Sequence, residues 1–358
     1  MAVQRITALT PIGEVLARVA ALARPIAPRE MPLADAEGRV LAQPVRVVEP
    51  RPAAPIALID GWAVRADAVA DAGPYAPMPL TPPPAWVNVG DVMPSGTDAV
   101  LPPDAVTVNG GLAEAHAGAT LGDGVLEPGV DAGAGQSLYL GSRLRALDIA
   151  ALQAIGVSRV LVREPRVRVV SVGADAVALA IARAVAARGA NVIFVRALER
   201  ALTEDADAIV AIGGTGAGSN DHSVEQLARS GQVAFHGFGL SPGETSALGS
   251  VRAQPVLLLP ARLDAAFAAF LVVGDALLRG LTGALISPGM PFKLRRKITS
   301  TVGMAEVVLV SRGPDGVEPL VSRYWPTQAI AVADGWVYVP PESEGHAQGA
   351  CVEMRALP

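Results

Sequence analysis

From about Arg166 to Gly283 the chain alternates short apolar runs with helical patterns, and this alternation limits the fold more than any other feature of its 358 residues. RVRVVSVG, NVIFV, DADAIVAIGG, VAFHGF and QPVLLLP read as strands. DAVALAIARAVAARG, SVEQLARSG and ARLDAAFAAFLVVGDALLRGLTG place apolar residues at helical spacing. Parallel neighbours need a crossover connection, and helices supply it while covering both faces of the sheet. The segment therefore predicts a doubly wound α/β domain over 164–285. Ligands in such sheets sit at the carboxyl ends of strands, near a topological switch point. The glycine-rich turn GGTGAGSNDHS follows the DADAIVAI run and so falls at such an end.

The flanking regions have a different texture. TALTPIGEVLARVAALARPI reads as one helix after a Thr/Pro start. From about 44 to 130, prolines and glycines are dense and WAVRA, AWVNVG and DAVLPP alternate with turns, which predicts a small β-rich domain. Residues 1–43 with 131–163 read as a helical linker region. A second small β domain is expected over 286–358 from KITST, EVVLV, GWVYVP and CVEMRAL. The fold class is thus α/β and multidomain. At this length two or three independent cores are expected.

Composition narrows the function classes. A net charge of −5 gives no general reason to bind nucleic acid or a membrane surface. Both lysines, Lys293 and Lys297, fall in FKLRRK, which reads as a solvated linker. The single cysteine, Cys351, forms no internal disulfide and reads as a buried or inert thiol. His116, His222, His236 and His346 lack metal-ligand spacing. The N-terminal residues lack the apolar core of a signal peptide, and no uncharged apolar run reaches the ~18 residues of a membrane span. AAFAAFLVVG, flanked by Asp264 and Asp275, reads as a buried helix. A cytoplasmic protein is expected.

In the glycine turn, Gly213, Gly214, Gly216 and Gly218 permit positive φ and close approach of backbone to a ligand. Ser219, Asn220 and Asp221 are three candidate caps for the next helix. Unpaired amides and the positive dipole end of that helix suit a phosphate. The turn is not a Walker A loop, since no Gly-Lys-Ser/Thr follows, and it lacks the dinucleotide G-x-G-x-x-G spacing. By itself it reads equally as a glycine turn with an Asp cap.

GGTGAGSND resembles the GG-S/T-G-x-G-x-x-D signature of the molybdopterin-binding fold. Three further stretches, in order, resemble the molybdopterin molybdenumtransferase family along nearly the whole chain: IDGWAVRADAV, VNVGDVMPSGTDAVLPPD, and LRALDIAALQAIGVSRVLVREPRVRVVSVG. ADGWVYVPPESEGHAQGACVEM resembles its C-terminal β domain. The resemblance implies an elongated homodimer in which the small β domain of one subunit faces the pterin-binding domain of the other. It implies adenylylated molybdopterin and molybdate as substrates, with magnesium as a companion. Asp60 would be the acid near the metal-handling end, Asp221 the loop acid, and Gly213, Gly214, Thr215, Gly216, Gly218 and Ser219 the cradle. Asp60 before Gly61 also reads as a turn residue, as do Asp98 and Asp104.

Departures from the family pattern cluster at ligand contacts. Ser241 and Glu244 in LSPGETS stand where the family has two lysines. A carboxylate beside a phosphate at about 4 Å is repulsive by roughly 1 kcal/mol or more. LPARL replaces the family's L-P-G-N-P turn, leaving Arg262 either to compensate or to pair with Glu244. Val89 replaces a threonine, and of the acidic segments after the first strand only Asp175 is present. Two pterin-binding readings follow, beside a third, a purely structural or regulatory dimer that binds no pterin. One is an enzyme of molybdenum cofactor biosynthesis that binds molybdopterin or its adenylylated form and inserts molybdenum. The other is a non-catalytic molybdopterin carrier, or a partner of another cofactor-biosynthesis protein or a molybdoenzyme. In both, Ser241 and Arg262 join the cofactor-binding set.

Overall fold

The computed structural model describes residues 5–139, 143–286 and 288–358. The chain divides into two compact units. The first comprises Met1–Gln43, Gly141–Ile149 and Arg159–Pro358, and the second Pro44–Leu140 with Ala150–Ser158.

The centre of the first unit is a six-stranded sheet in the order Asn191–Val195, Arg166–Ser171, Ala208–Ile212, Gln254–Leu259, Ala247–Val251, Gln232–His236. The first four strands are parallel and the last two antiparallel. All five residues of Ala208–Ile212 are buried, as a strand covered on both faces requires. Alternate side chains go to opposite cores. Val167, Val169, Val210, Ile212, Leu257 and Leu259 pack on one face, and Val170, Ile209, Ala211, Val256 and Leu258 on the other. Burying each such Ile, Leu or Val contributes about 1.5–3 kcal/mol, which holds the register that aligns the strand ends.

Helix Asp175–Ala186 covers the first face with Ala178, Ile181 and Val185, and Gly189 closes the following turn at φ +86. On the same face lie helix Ile12–Leu22 and the long helical region expected after LPARL. That region is not one uniform helix. It runs as Leu263–Ala269, a π-helical turn Phe270–Gly274, and Asp275–Thr282. The Phe270 ring lies where a side chain on Gly274 would stand, and the widened turn lets it enter the core. Leu263–Thr282 is long and apolar enough to cross a membrane, but 67% of its apolar window is buried within the protein. It is the core helix of this unit.

A second sheet in the same unit is formed by Met290–Lys293, Cys351–Ala356, Gly335–Val339, Ala305–Gly313 and Gly316–Val321. Leu240–Ser241, from the α/β region, joins it parallel to Ala305–Gly313. Two expectations fail here. FKLRRK is not a solvated linker: Phe292 and Lys293 belong to an edge strand paired with Cys351–Ala356, Leu294 is buried, and Arg296 donates to Pro319 O at 2.5 Å. Cys351 is exposed, because the period-2 alternation turns Val352 and Met354, not Cys351, into the core.

The second unit is built of short strands. Gly61–Val64 lies between Ala85–Val87 and Ala99–Leu101, while Leu112–Ala115 lies between Met78–Leu80 and Val106–Asn109. Trp62 and Trp86 meet edge to face at 5.1 Å between centroids.

Candidate functional site

The glycine loop leaves the carboxyl end of Ala208–Ile212, between its parallel neighbours. Gly213 N donates to Leu259 O at 2.8 Å, and the loop turns back at once. The turn needs φ +107 at Gly213 and +71 at Gly214. A Cβ on Gly213 would run into Val172 O, and one on Gly214 into Ser223 Oγ. Only glycine meets both conditions. Ser223, almost fully buried, fastens the far end: its Oγ donates to Gly213 O at 2.8 Å and its N to Gly214 O at 2.9 Å.

The middle of the loop curls around one carboxylate. Gly218 N donates to Asp221 Oδ2 at 2.9 Å. Side chains on Gly216 and Gly218 would place a Cβ 2.8 and 2.9 Å from the same oxygen. The backbone here is shaped to receive an oxyanion oxygen, and Asp221 supplies one from within the chain. Ser219 and Asn220 are exposed in the turn. None of the three candidate caps is the cap of helix Ser223–Ser230. His222 holds that position without a side-chain hydrogen bond, because Asp221 is already turned back to Gly218.

Two neighbouring segments reach this end of the sheet. Thr215, 2% exposed, places its Oγ1 3.3 Å from Thr245 Oγ1, and its carbonyl lies 2.9 Å from His236 Nε2. Thr245 belongs to the Ser241–Ser246 turn, where Ser241 is buried and Ser246 Oγ donates to Gly243 O at 2.8 Å. Glu244 folds onto its own turn, its Oε2 accepting from Gly243 N at 3.0 Å. The 260–264 turn follows Leu259. Arg262 does not pair with Glu244. Its Nε and Nη2 donate to Asp264 Oδ1 and Oδ2 at 3.0 and 2.7 Å, and its guanidinium lies 5.6 Å over the Tyr324 ring.

Asp264 is the residue sequence reasoning missed. It is 3% exposed and also accepts from the Ala265 and Trp325 amides at 2.8 and 3.2 Å. Burial pushes its carboxyl up, but Arg262 and the two amides more than offset this and hold it below the usual aspartate range. An acid two residues into a helix, after an arginine, was the available signal. Arg323, beside Tyr324, adds a second exposed guanidinium. It donates to Thr301 Oγ1 at 2.7 Å and lies 3.9 Å from buried Glu306, whose strand position is paired with Ser241.

Asp60 lies in the second unit, exposed, in the bend before Gly61–Val64. Its Oδ1 accepts from Val89 N at 2.8 Å, so one of its oxygens braces the turn at Val89. Asp98 accepts from Ala66 N at 2.7 Å, and Asp104 lies in the short 3-10 turn Pro103–Ala105. At the first strand's end, Asp175 opens its helix 3.7 Å from Arg196.

Two family models match the chain: the MoeA N-terminal region (domain I and II) over 10–156, and "Probable molybdopterin binding domain" over 171–280. The second contains the whole glycine loop. A Methanocaldococcus jannaschii protein described as a molybdopterin biosynthesis protein is 25% identical over 163 residues, a stretch that is 45% of this chain and 39% of that protein. Two structures of the molybdopterin biosynthesis MoeA protein of Pyrococcus horikoshii share the fold. One has a TM-score of 0.72 at 23% identity, covering 98% of this chain and 99% of that one. The other has a TM-score of 0.76 at 21% identity, covering 98% and 100%. A molybdenum cofactor biosynthesis protein of Pyrococcus furiosus has a TM-score of 0.62 at 18% identity, covering 97% and 99%. With both family models matching in order and between them taking in most of the chain, it belongs to the MoeA-like molybdopterin molybdenumtransferase family.

Proposed function

We propose that this protein binds molybdopterin, or its adenylylated form, by the phosphate at the glycine loop. Membership of the family ties the chain to molybdenum cofactor biosynthesis. The observation that carries the finer reading is the loop itself. Gly213 and Gly214 bend the chain where no side chain fits, and the backbone beyond them closes on a carboxylate oxygen. A phosphate oxygen is the same kind of acceptor. In this reading Asp221 keeps the loop folded around its ligand, the buried Thr215 and Ser241 support its rim, and Arg262 supplies positive charge to it only on leaving Asp264.

Magnesium and molybdate accompany the ligand in this reading. Among the described residues no group of three His, Cys, Asp or Glu could hold a metal ion. Magnesium would rest on one carboxylate, Asp221, with the ligand's phosphates and water completing its shell. The chain would act as a homodimer in the cytoplasm.

Molybdenum insertion and non-catalytic carriage remain two readings, and the charges favour carriage. Glu244 stands in place of a lysine, and Arg262 is held by the buried Asp264 rather than aimed at an anion. Anaerobic calorimetry with molybdopterin and adenylylated molybdopterin tests the binding. Saturable binding that weakens at least tenfold in Asp221→Ala is expected, and no binding of either ligand would reject the site. Release of AMP on adding molybdate separates insertion from carriage: its absence, with binding intact, marks the carrier.

A further inference from the structure

A cavity of about 460 Å³ lies in the first unit, lined by none of the glycine-loop residues. Its volume is that of a small-metabolite site. Five arginines reach it: Arg143, Arg188, Arg279, Arg312 and Arg355. One acid, Asp275, faces them. Its location follows from connectivity. Arg188 lies between the end of helix Asp175–Ala186 and the start of strand Asn191–Val195, which is the amino edge of the parallel strands. The glycine loop leaves the carboxyl edge, so the two lie at opposite ends of the sheet.

The charges do not balance within the cavity. Asp275 is shared: Arg188 Nε donates to its Oδ1 at 2.6 Å and Arg279 Nε to its Oδ2 at 2.9 Å. Among the described residues, no second acidic side chain in the lining answers the other three arginines. Arg312 and Arg355 rest over the Phe292 and Trp336 rings at 5.4 and 5.3 Å. The nearest acid to Arg355 is Glu353, at 3.9 Å. Arg143 is the informative one. Its Nε and Nη2 are buried and have no hydrogen-bond partner among the described residues. Burial first, then the nearby Arg188 and Arg279 charges, pull its pKa down. Trp336 Nε1 is also buried and unpartnered.

Guanidinium and indole N–H groups donate and do not accept. What satisfies them must be rich in acceptors and negatively charged, and arginine forks match phosphate and carboxylate oxygens in pairs. The lining also includes the apolar side chains of Leu271, Met290 and Met354. A bare inorganic ion would leave them without a partner.

We propose that this cavity is a second anion-binding site, taking a small organic molecule that carries two or more negative charges as phosphate or carboxylate. Arg143 is its innermost ligand, and Arg312 and Arg355 close over the outer charge. The site is independent of the glycine loop.

Calorimetry and thermal melts of the full chain in 0.15 M salt test it, with AMP, citrate and pyrophosphate as probes. AMP or citrate is expected to bind saturably and raise the melting temperature, more than pyrophosphate does. The arm that responds identifies phosphate ester or polycarboxylate. Arg143→Met should weaken binding at least tenfold and Arg312→Gln several-fold, while Asp221→Ala leaves it unchanged. If Arg143→Met fails to fold, Arg312→Gln carries the test alone. The proposal is overturned if no probe binds, if both arginine variants bind like the wild type, or if Asp221→Ala abolishes binding and so places the probe at the glycine loop.

Discussion

At the carboxyl edge of the sheet, four of the six residues Gly213–Gly218 are glycine, and the group folded onto them is the carboxylate of Asp221. At the amino edge, five arginines reach a cavity, and two of them, Arg188 and Arg279, share Asp275, the one acidic side chain among its described lining residues. The first region has the geometry of an anion site with little charge. The second has the charge, held by residues from five separate segments, with no glycine loop to shape it. Backbone geometry is set by the fold and does not depend on which charged side chains stand beside it. Side-chain charge can be lost at one place and collected at another without disturbing the sheet between them.

The most damaging change to this contrast is Gly213→Val. The new Cβ would collide with Val172 O, and φ +107 is closed to a β-branched residue. The central strand would have to move, at a cost of about 3 kcal/mol or more. Urea unfolding measures it. A loss under about 1 kcal/mol would mean that the loop is not locked to the strand end and that its geometry is adaptable.

Next in size is Asp264→Ala. It strands the Ala265 and Trp325 amides and frees Arg262, which is solvent-exposed and so loses little itself. A cost of about 2 kcal/mol is expected. The same residue gives a pH signature. Its native pKa is lowered, so its contribution is fully present above the ordinary aspartate value, near pH 4, and is lost as pH falls through the lower native value. Acid melts should show the wild type converging on Asp264→Ala as that value is passed. Parallel curves would show that the carboxylate does not carry the stability. Arg262, once freed, should also bind phosphate at the loop more readily, which would narrow the gap between the two ends of the sheet.

Arg143→Met runs the other way. Replacing a guanidinium whose buried Nε and Nη2 have no partner among the described residues with a flexible apolar chain should stabilise the unliganded protein by about 1 kcal/mol. A gain in melting temperature joined to loss of anion binding is what a functional site predicts. A loss of stability would mean that Arg143 is paid for by packing, and that the charge excess is structural.

The sequence shows the first region much better than the second. The strand–helix alternation, the glycines and the turn to follow are local patterns, and each residue needed for the loop lies within eleven positions of Gly213. Even so, the cap is misread, because Asp221 serves Gly218 rather than the helix, and a choice among three adjacent polar residues depends on φ and ψ. Asp264 is visible only as an acid early in a helix, since the Trp325 amide that buries it comes from 61 residues on. The arginine cavity leaves no linear trace. Its members are spread from 143 to 355, and the register of two sheets brings them together. Resemblance to the family pattern directs attention to Ser241 and Glu244, and not to the arginines at the other end of the sheet.

The smallest effect expected is at Asp60, which like Asp221 accepts a backbone amide. Asp221 takes Gly218 N, three residues back, at 2.9 Å, and Asp60 takes Val89 N, 29 residues on, at 2.8 Å. Asp60 is exposed, so its hydrogen bond competes with water and contributes about 0.5–1 kcal/mol. Asp60→Asn keeps an acceptor oxygen for Val89 and should shift the urea midpoint by less than Asp60→Ala does. Molybdate-dependent AMP release, if the protein performs it, separates structure from chemistry at this residue. An acid that acts on the ligand loses that activity in Asp60→Asn while stability is nearly unchanged. A brace loses activity only in proportion to stability, with Asp60→Asn close to the wild type. The second pattern would make both carboxylates, one in each unit, supports for backbone turns, and would leave phosphate binding at the loop to the glycines and the helix that follows them.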